Sequence, residues 1–301
     1  MDKYVFISNP LPMGDWCTRR FKIDQLDSEQ SSGTQFSSVI LKTRELMFHI
    51  PDILVSPCIE TNSVMVVGRK DVYLNPNFIS RCSKLNLVDS GSVYPGNSGN
   101  ILSSCLKYTL TGRLSPLWNS VGKWFFSGKH FLHSKDPING ILLDINIAGN
   151  VVEMIISSET FKMNLLQPSE LNLSKKKVEE FMSGDENEVL YTEHFGNKRV
   201  KVLPNLSSAS LVSITKKLPE NTQFKDWSEM RRYWKNMYGY RLTEDDSSEP
   251  MVYYNVRFRS TGSILTYPEW TVRSDNPSPV RRVDPKPAIL LFLQSVAYKL
   301  K

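Results

Sequence analysis

The sequence lacks a long apolar run. Its N-terminus carries only a short apolar stretch, Tyr4 to Ile7, which is too short for a secretory signal. No window approaches the roughly 20 apolar residues that a helix needs to cross a bilayer. These absences predict a protein that is neither secreted nor membrane-spanning, and we expect it to be intracellular.

Cysteine and histidine are scarce, with four of each in 301 residues. The cysteines are far apart in sequence, and each lies inside or beside an apolar segment, which is typical of reduced thiols rather than disulfides. They are Cys17, Cys58, Cys82 and Cys105. His130 and His133 have a spacing that could ligate a metal, but no cysteine is near them in sequence. We therefore predict no metal site and no cofactor.

The sequence also lacks a large excess of charge of one sign. The 37 basic residues against 31 acidic residues give a formal net charge of +6, which is too small to indicate nucleic-acid binding by itself. The 40% hydrophobic content and the length of 301 residues are enough for one large core or two smaller ones. Composition therefore predicts a globular protein and no particular partner.

No catalytic motif is present, and the nearest approach to one is the segment 91–98. Gly91, Gly96 and Ser98 match fixed positions of the phosphate-binding loop, but Asn97 stands where that motif has its lysine. Pro95 also removes one N–H donor from the phosphate cradle. The ordinary interpretation is a loop that ends in a helix cap at Asn97 or Ser98. We therefore predict a non-enzymatic protein and keep a degenerate nucleotide-binding protein as the least favoured alternative.

The most informative stretch is 224–273, which begins with a predicted helix. Asp226 followed by Glu229 is a capping-box pattern, and Gly239 can take the left-handed conformation that ends a helix. Four apolar residues recur at helical spacing and predict a buried stripe: Trp227, Met230, Trp234 and Met237. The basic residues of the other face are Arg231, Arg232 and Lys235.

A predicted strand follows the acidic loop Glu244, Asp245 and Asp246. Its residues alternate between an apolar face and a more polar, basic face. The apolar face is Val252, Tyr254, Val256 and Phe258, and the other face is Tyr253, Asn255, Arg257 and Arg259. A turn at Gly262 and Ser263 leads into a return strand from 264, which Pro268 interrupts, so we expect an edge strand.

These two elements supply the candidate binding surface. Its basic residues are Arg231, Arg232, Lys235, Arg257 and Arg259, with Tyr253 as a stacking group. If the two basic groups emerge side by side, they would bind phosphate or an acidic partner. The alternative is two ordinary solvated faces that do not share one side of the molecule.

Periodicity and turn residues predict the remaining elements. Strands are predicted at 3–8, 17–25, 63–67 and 72–74, a polar loop at 28–35, and helices from Phe36 to Pro51 and after Asn75. A hairpin is predicted over 138–156 about Gly149 and Asn150, with a third strand at 160–165 after a turn at 157–158. A second hairpin is predicted over 189–203, a helix over 207–219, and a last helix from Asp284.

The order of these elements indicates the fold class. Strand pairs and interspersed helices without a regular β, α, β alternation predict an α+β chain with mixed, mainly antiparallel sheets and packed helices. We predict an N-terminal lobe at 1–168, a polar helical linker at 169–187 and a C-terminal lobe at 188–301. The linker is placed where the composition turns polar.

Several segments carry a resemblance to a known family. They are Leu106 to Asn119, with Arg113, Leu114, Pro116 and Trp118; Trp234 to Tyr240; Thr266, Tyr267, Pro268, Arg273 and Ser274; and Arg282, Val283 and Asp284. In this order they resemble the N-terminal region of an uncharacterised vertebrate family, the product of a chromosome 18 open reading frame. That region is catalogued as a domain of unknown function. The resemblance covers nearly the whole chain, implies no activity and carries over no functional residue.

We interpret the chain as a binding module that presents basic and aromatic surface to an acidic protein. Nucleic acid is kept as another partner, a membrane is not, and the oligomeric state is not predicted. The alternative is an architectural scaffold with an apolar protein-binding surface, which exposure of Trp118 or Trp124 would favour.

Overall fold

The computed structural model describes residues 2–10, 13–24, 32–96, 98–243, 249–281 and 283–300. The chain divides into two compact units. The first comprises Met1–Ser115, Leu142–Ser157 and Ile289–Lys301, and the second comprises Pro116–Ile141 and Ser158–Ala288. This division differs from the predicted lobes at 1–168 and 188–301, because the chain leaves the first unit and returns to it twice.

The secondary structure consists of short and medium elements. The helices are α1 (Ser32–His49), α2 (Pro76–Lys84), α3 (Gly99–Leu114), α4 (Lys175–Ser183), α5 (Thr192–Phe195), α6 (Trp227–Tyr238) and α7 (Lys286–Lys299). The strands are β1 (Tyr4–Ile7), β2 (Trp16–Ile23), β3 (Ile53–Cys58), β4 (Ser63–Arg69), β5 (Leu87–Pro95), β6 (Trp118–Val121), β7 (Trp124–Ser127), β8 (Ile138–Ala148), β9 (Val151–Lys162), β10 (Val189–Tyr191), β11 (Arg199–Val202), β12 (Ser207–Thr215), β13 (Tyr253–Phe258), β14 (Ile264–Pro268), β15 (Val272–Arg273) and β16 (Ser278–Val280). The fold class is α+β with mainly antiparallel sheets, as predicted.

The first unit is built on a four-stranded sheet with the order β3–β4–β2–β5. Alternate residues of β4 point to opposite faces, and both faces are covered. Val64 and Val66 pack in one cluster with Leu46 of α1. Met65 and Val67 pack in another, with Leu102 and Cys105 of α3. The strand is therefore buried on both sides, which explains its unbroken apolar sequence.

Two local predictions in the first unit need correction. The segment 72–74, predicted as a strand, is a 3-10 helix in a tight connection from β4 to α2. The single proton of the buried Tyr73 hydroxyl there is shared between the carbonyls of Cys17 and Val66, whose oxygens lie at 3.0 and 2.9 Å. Helix α1 begins at Ser32, so the loop predicted over 28–35 is wrong at 32–35, and its first part lies outside the described residues.

The segment that approaches a phosphate-binding motif is largely a strand. β5 runs through Pro95 and pairs with β2. Its register shifts between Arg19 and Phe21 of β2, and Gly91 lies in the shifted part with a φ of +74°. Glycine at that position is explained by a β-bulge, whose backbone favours a left-handed residue. The loop prediction is therefore wrong at 91–95, and Asn97 lies outside the described residues.

The second unit contains a sheet with the order β14–β13–β12–β11–β15, in which β10 also pairs with β12. The helix predicted over 207–219 is wrong, because residues 207–215 form β12. Its register shifts between Leu211 and Ser213. A bulge of this kind moves the alternation by one residue, so Leu211 and Ile214 are both buried at a spacing of three and imitate a helical pattern.

The predicted linker includes α4, which is packed within the second unit. Phe181 of α4 is completely buried in a cluster that includes Tyr254 and Val256 of β13. Lys216 places its ammonium 4.9 Å from the centre of the Phe181 ring and donates to the Gly184 carbonyl at 2.9 Å. These contacts make the segment part of the core rather than a spacer.

The hairpin about Gly149 and Asn150 is confirmed by the neighbouring strands β8 and β9. The third strand predicted after 157–158 is wrong, because Ser157 and Ser158 are buried within β9, which continues to Lys162. The hairpin predicted over 189–203 is also wrong, since α5 intervenes and both β10 and β11 pair with β12. Within the described ranges, every helix is too short or too polar to span a membrane.

Candidate binding surface

The helix α6 begins and ends where its local sequence predicts. The Asp226 carboxylate accepts from the backbone N–H of Glu229 at 2.8 Å. The Glu229 carboxylate in turn accepts from the backbone N–H of Lys225 at 2.7 Å, one residue before the expected reciprocal bond. Gly239 has a φ of +78°, and its N–H donates to the Lys235 carbonyl. Side chains thus satisfy backbone N–H groups at the helix start that have no helical partner.

Replacing Asp226 by alanine is expected to lower the free energy of unfolding by about 1 kcal/mol, because the Glu229 N–H loses its acceptor. Urea denaturation followed by tryptophan fluorescence measures this change. Ser228→Ala is the matched control, since Ser228 is exposed in the same turn and caps nothing that the structure describes. Equal midpoints for the two variants would contradict the capping role.

The apolar stripe of α6 is buried as predicted. Trp227, Met230, Trp234 and Met237 are at most 8% exposed. The Trp227 ring lies 6.4 Å from the ring of Tyr253 in β13, and the Trp234 ring lies 6.0 Å from that of Tyr267 in β14. These contacts fix α6 on the sheet near the start of β13 and the end of β14.

The basic residues of α6 differ in exposure. Arg232 and Lys235 are exposed, whereas Arg231 is half-buried. Arg232 lies about 180° around the helix from the centre of the apolar stripe, since successive residues turn by about 100°. Neither Arg232 nor Lys235 forms an ion pair with a carboxylate in the part of the chain that the structure describes. We call Arg231, Arg232 and Lys235 the helix group.

The structure corrects the expectation that Tyr253 is an exposed stacking group. Tyr253 is 2% exposed, and burial raises the pKa of its hydroxyl. β13 is an interior strand of its sheet, with Tyr253 packed on the α6 side and Tyr254 in the cluster that contains Phe181. Because both faces of its first half are covered, a partner cannot stack on Tyr253.

The basic residues of the strand lie further along it. Arg257 and Arg259 are exposed, at the end of β13 and just beyond it, and neither forms an ion pair with a described carboxylate. Arg257 is four positions after Tyr253, which is roughly 13 Å along a strand. We call Arg257 and Arg259 the hairpin group. The helix group is thus carried by α6, which contacts the other end of β13. The acidic loop 244–246 lies outside the described residues.

A polar row crosses the sheet beside these residues. Strand register places Tyr191, Ser213, Asn255 and Thr266 opposite one another on four neighbouring strands. The Asn255 amide donates to the Ser213 hydroxyl at 3.1 Å and accepts from the Thr266 hydroxyl at 2.6 Å. Sequence reasoning missed this row, because Ser213 fell in a predicted helix and the register of distant strands leaves no local signal.

This polar row lines a pocket of about 350 Å3. The segment 219–224, which leads into α6, supplies another part of its wall. That segment is held by Thr222, whose hydroxyl donates to the Phe224 carbonyl at 2.9 Å and accepts from the Phe224 N–H at 3.2 Å. The described lining carries no charged side chain, and most of its polar groups are hydroxyls and carboxamides. The pocket is thus suited to a neutral group that forms hydrogen bonds.

The side chains of two further residues that could act in a binding site instead contact backbone carbonyls inside the protein. Arg273 is 1% exposed, donates to the Leu132 carbonyl at 3.2 Å, and has its pKa lowered to about 10 by burial. His133 contacts the Leu242 carbonyl through Nε2. Among the described residues, no three His, Cys, Asp or Glu side chains are grouped as metal ligands would be.

Comparison with known proteins gives a family but no activity. One solved structure that matches is the crystal structure of Kluyveromyces polysporus Argonaute with a guide RNA, at 11% sequence identity and a TM-score of 0.30. The match covers 94% of this chain and 37% of that chain, and likeness at this level carries no argument about function. The model of a family described as a domain of unknown function, DUF4708, matches residues 5–283. Because this match spans nearly all of the sequence, the chain belongs to the DUF4708 family.

Proposed function

We propose that the chain is a non-enzymatic, intracellular binding module that presents basic surface to an acidic protein or to nucleic acid. The observation that supports this is the exposure of four cations without carboxylate partners among the described residues: Arg232, Lys235, Arg257 and Arg259. Exposed charges of one sign attract an oppositely charged partner over several ångströms and orient its approach.

An acidic protein is the favoured partner. Single-stranded nucleic acid is commonly bound by aromatic rings on which bases stack. Burial of Tyr253 removes the ring that the sequence offered for this purpose. Carboxylates need only the cations, and arginine binds them through two parallel hydrogen bonds.

Charge reversal tests the proposal. In fluorescence polarisation with labelled polyglutamate, Arg257→Glu with Arg259→Glu is expected to weaken binding at least about ten-fold, since both attraction and pairing are lost. Arg232→Glu with Lys235→Glu reports on the helix group in the same way. Arg231 is left unchanged, because it is half-buried. A labelled single-stranded oligonucleotide, used in parallel over a salt titration, distinguishes nucleic acid from protein.

The matched control for these variants is Lys129→Glu with Lys175→Glu. Both residues are exposed in the second unit, so the control changes the net charge equally at other positions. Equal weakening in the control would mean that net charge alone governs binding. Unchanged affinity in both test variants would reject the proposal.

A second candidate is an architectural scaffold with an apolar binding surface. Trp118 is 1% exposed and Trp124 is half-buried, so neither supports it. Its support is α7, where Leu290, Leu291 and Tyr298 are 60%, 52% and 70% exposed. Partner binding that persists at high salt and is lost in Leu291→Asp would favour this candidate, because screening weakens only the charged surface.

We further propose that this family includes the vertebrate chromosome 18 open-reading-frame products. The support is the resemblance at Trp234 to Tyr240 and at the other segments quoted above, most of which lie within the matched residues 5–283. No activity follows from that assignment.

A further inference from the structure

The strand β14 lies at an edge of its sheet. It pairs with β13 on one side, and no described strand pairs with its other side. Ile264 and Leu265 are 48% and 38% exposed. An edge strand carries unpaired backbone N–H and C=O groups, which can accept a further strand from a partner.

The pocket beside this edge selects for a neutral side chain. The Asn255 amide has two N–H groups and two acceptor sites, and the described hydrogen bonds use one of each. The Thr215 hydroxyl, which also lines the pocket, is buried without a partner among the described residues. A charged side chain would lose its hydration there without gaining a counter-charge. A carboxamide can use the remaining donors and acceptors together.

Arg257 of the hairpin group lies on β13, the interior strand that pairs with β14. Arg257 is opposite Ile264, and Asn255 is opposite Thr266, so the two positions are separated by about 7 Å along the strands. On a strand added to β14, residues two apart point to the same face. If a carboxamide residue of the added strand enters the pocket, the residue two positions away therefore points to the same face, next to Arg257.

We propose that the free edge of β14 takes an extended peptide segment of an acidic partner as an added strand. This strand inserts an Asn or Gln side chain into the pocket, and its Asp or Glu two residues away pairs with Arg257. The inference rests on the proposed function, because it names the binding mode of an acidic protein partner. It favours a peptide over nucleic acid, since the edge offers backbone groups that match a peptide and the pocket offers no cation for a phosphate.

The test uses a labelled peptide, acetyl-Ser-Thr-Gln-Thr-Glu-Thr-Ser, and the whole chain. Fluorescence polarisation is expected to detect binding, with a loss of about five-fold when the peptide Gln becomes Leu. Alternate backbone N–H groups of the peptide point to opposite edges of the added strand. N-methylation of those on the edge that would pair with β14 is expected to abolish binding. Hydrogen exchange at 264–266 is expected to slow when the peptide is bound.

Protein variants locate the two side-chain contacts. Arg257→Gln is expected to weaken binding of the parent peptide. It should leave unchanged the binding of a peptide whose Glu is already Gln, because the pair between Arg257 and Glu is then absent. Thr215→Val keeps the side-chain shape and is expected to reduce the preference for Gln over Leu. Met251→Ala is the control, since Met251 is exposed and does not line the pocket.

Some outcomes overturn the inference without touching the proposed function. If charge reversal weakens polyglutamate binding while N-methylation has no effect and 264–266 gains no protection, the basic surface stands and the added strand is rejected. No peptide binding up to about 1 mM also rejects the added strand. Protection of 264–266 by the oligonucleotide instead of the peptide would assign the edge to nucleic acid.

Discussion

Replacing Trp234 by alanine is expected to lower the free energy of unfolding by about 3 to 5 kcal/mol, as deletion of a buried large aromatic side chain does. Trp234 is 3% exposed, and its ring lies 5.0 Å from that of Tyr238, 5.8 Å from that of Tyr240 and 6.0 Å from that of Tyr267. Alanine would remove these contacts and leave a cavity between α6 and the sheet. Urea denaturation followed by far-ultraviolet circular dichroism measures the loss.

Two variants make this experiment specific. Asn236→Ala changes an exposed residue of the same helix and is expected to stay within about 0.5 kcal/mol of the parent. Trp234→Phe retains one aromatic ring, so its free energy of unfolding should fall between those of Trp234→Ala and Asn236→Ala. A loss in Trp234→Ala no larger than in Asn236→Ala would show that the stripe does not hold α6 in place. The helix group would then lack a fixed position on the sheet.

The start, stop and buried face of α6 could be predicted because each depends on neighbouring residues. Asp226 caps a backbone N–H three residues away, and Gly239 ends the helix within its own turn. Trp227 and Trp234 recur at helical spacing whatever surface they meet. Local chemistry of this kind is fully present in the sequence.

The surroundings of β13 could not be predicted, because they are set by distant segments. The alternation of apolar and basic residues indicates one wet face, yet α6 covers Tyr253 on that face. Only the residues beyond this cover, Arg257 and Arg259, remain exposed. Sequence patterns report where a side chain points but not which element packs over it.

The polar row shows the same limit for the candidate site. Ser213, Asn255 and Thr266 are brought together by the pairing of three strands. The pairing in turn depends on a bulge in β12, which gives the buried residues of this strand a helical spacing in the sequence. A register error of one residue would turn Ser213 to the other face, so no local pattern could have identified the row.

Gly96→Ala is expected to lower the free energy of unfolding by about 1 to 3 kcal/mol, as overpacking in a close contact does. A β-carbon on Gly96 would lie 2.6 Å from the Trp16 β-carbon and 2.8 Å from both the carbonyl carbon and oxygen of Trp16. Backbone atoms cannot rotate away as a side-chain end can, so β2 and β5 would have to separate locally. Thermal and urea denaturation of the whole chain would report the loss.

Gly14→Ala is the matched control, because a β-carbon there meets no atom within 4 Å. It should leave stability unchanged within about 0.5 kcal/mol. The comparison also decides why the sequence has a glycine at position 96. Close packing against Trp16 predicts a stability loss and no thermal shift with ATP and magnesium, whereas a phosphate cradle predicts stabilisation by the nucleotide that Gly96→Ala removes. The direct contact of Gly96 with the Trp16 backbone favours packing, since it occupies the space on that side that a phosphate group would need.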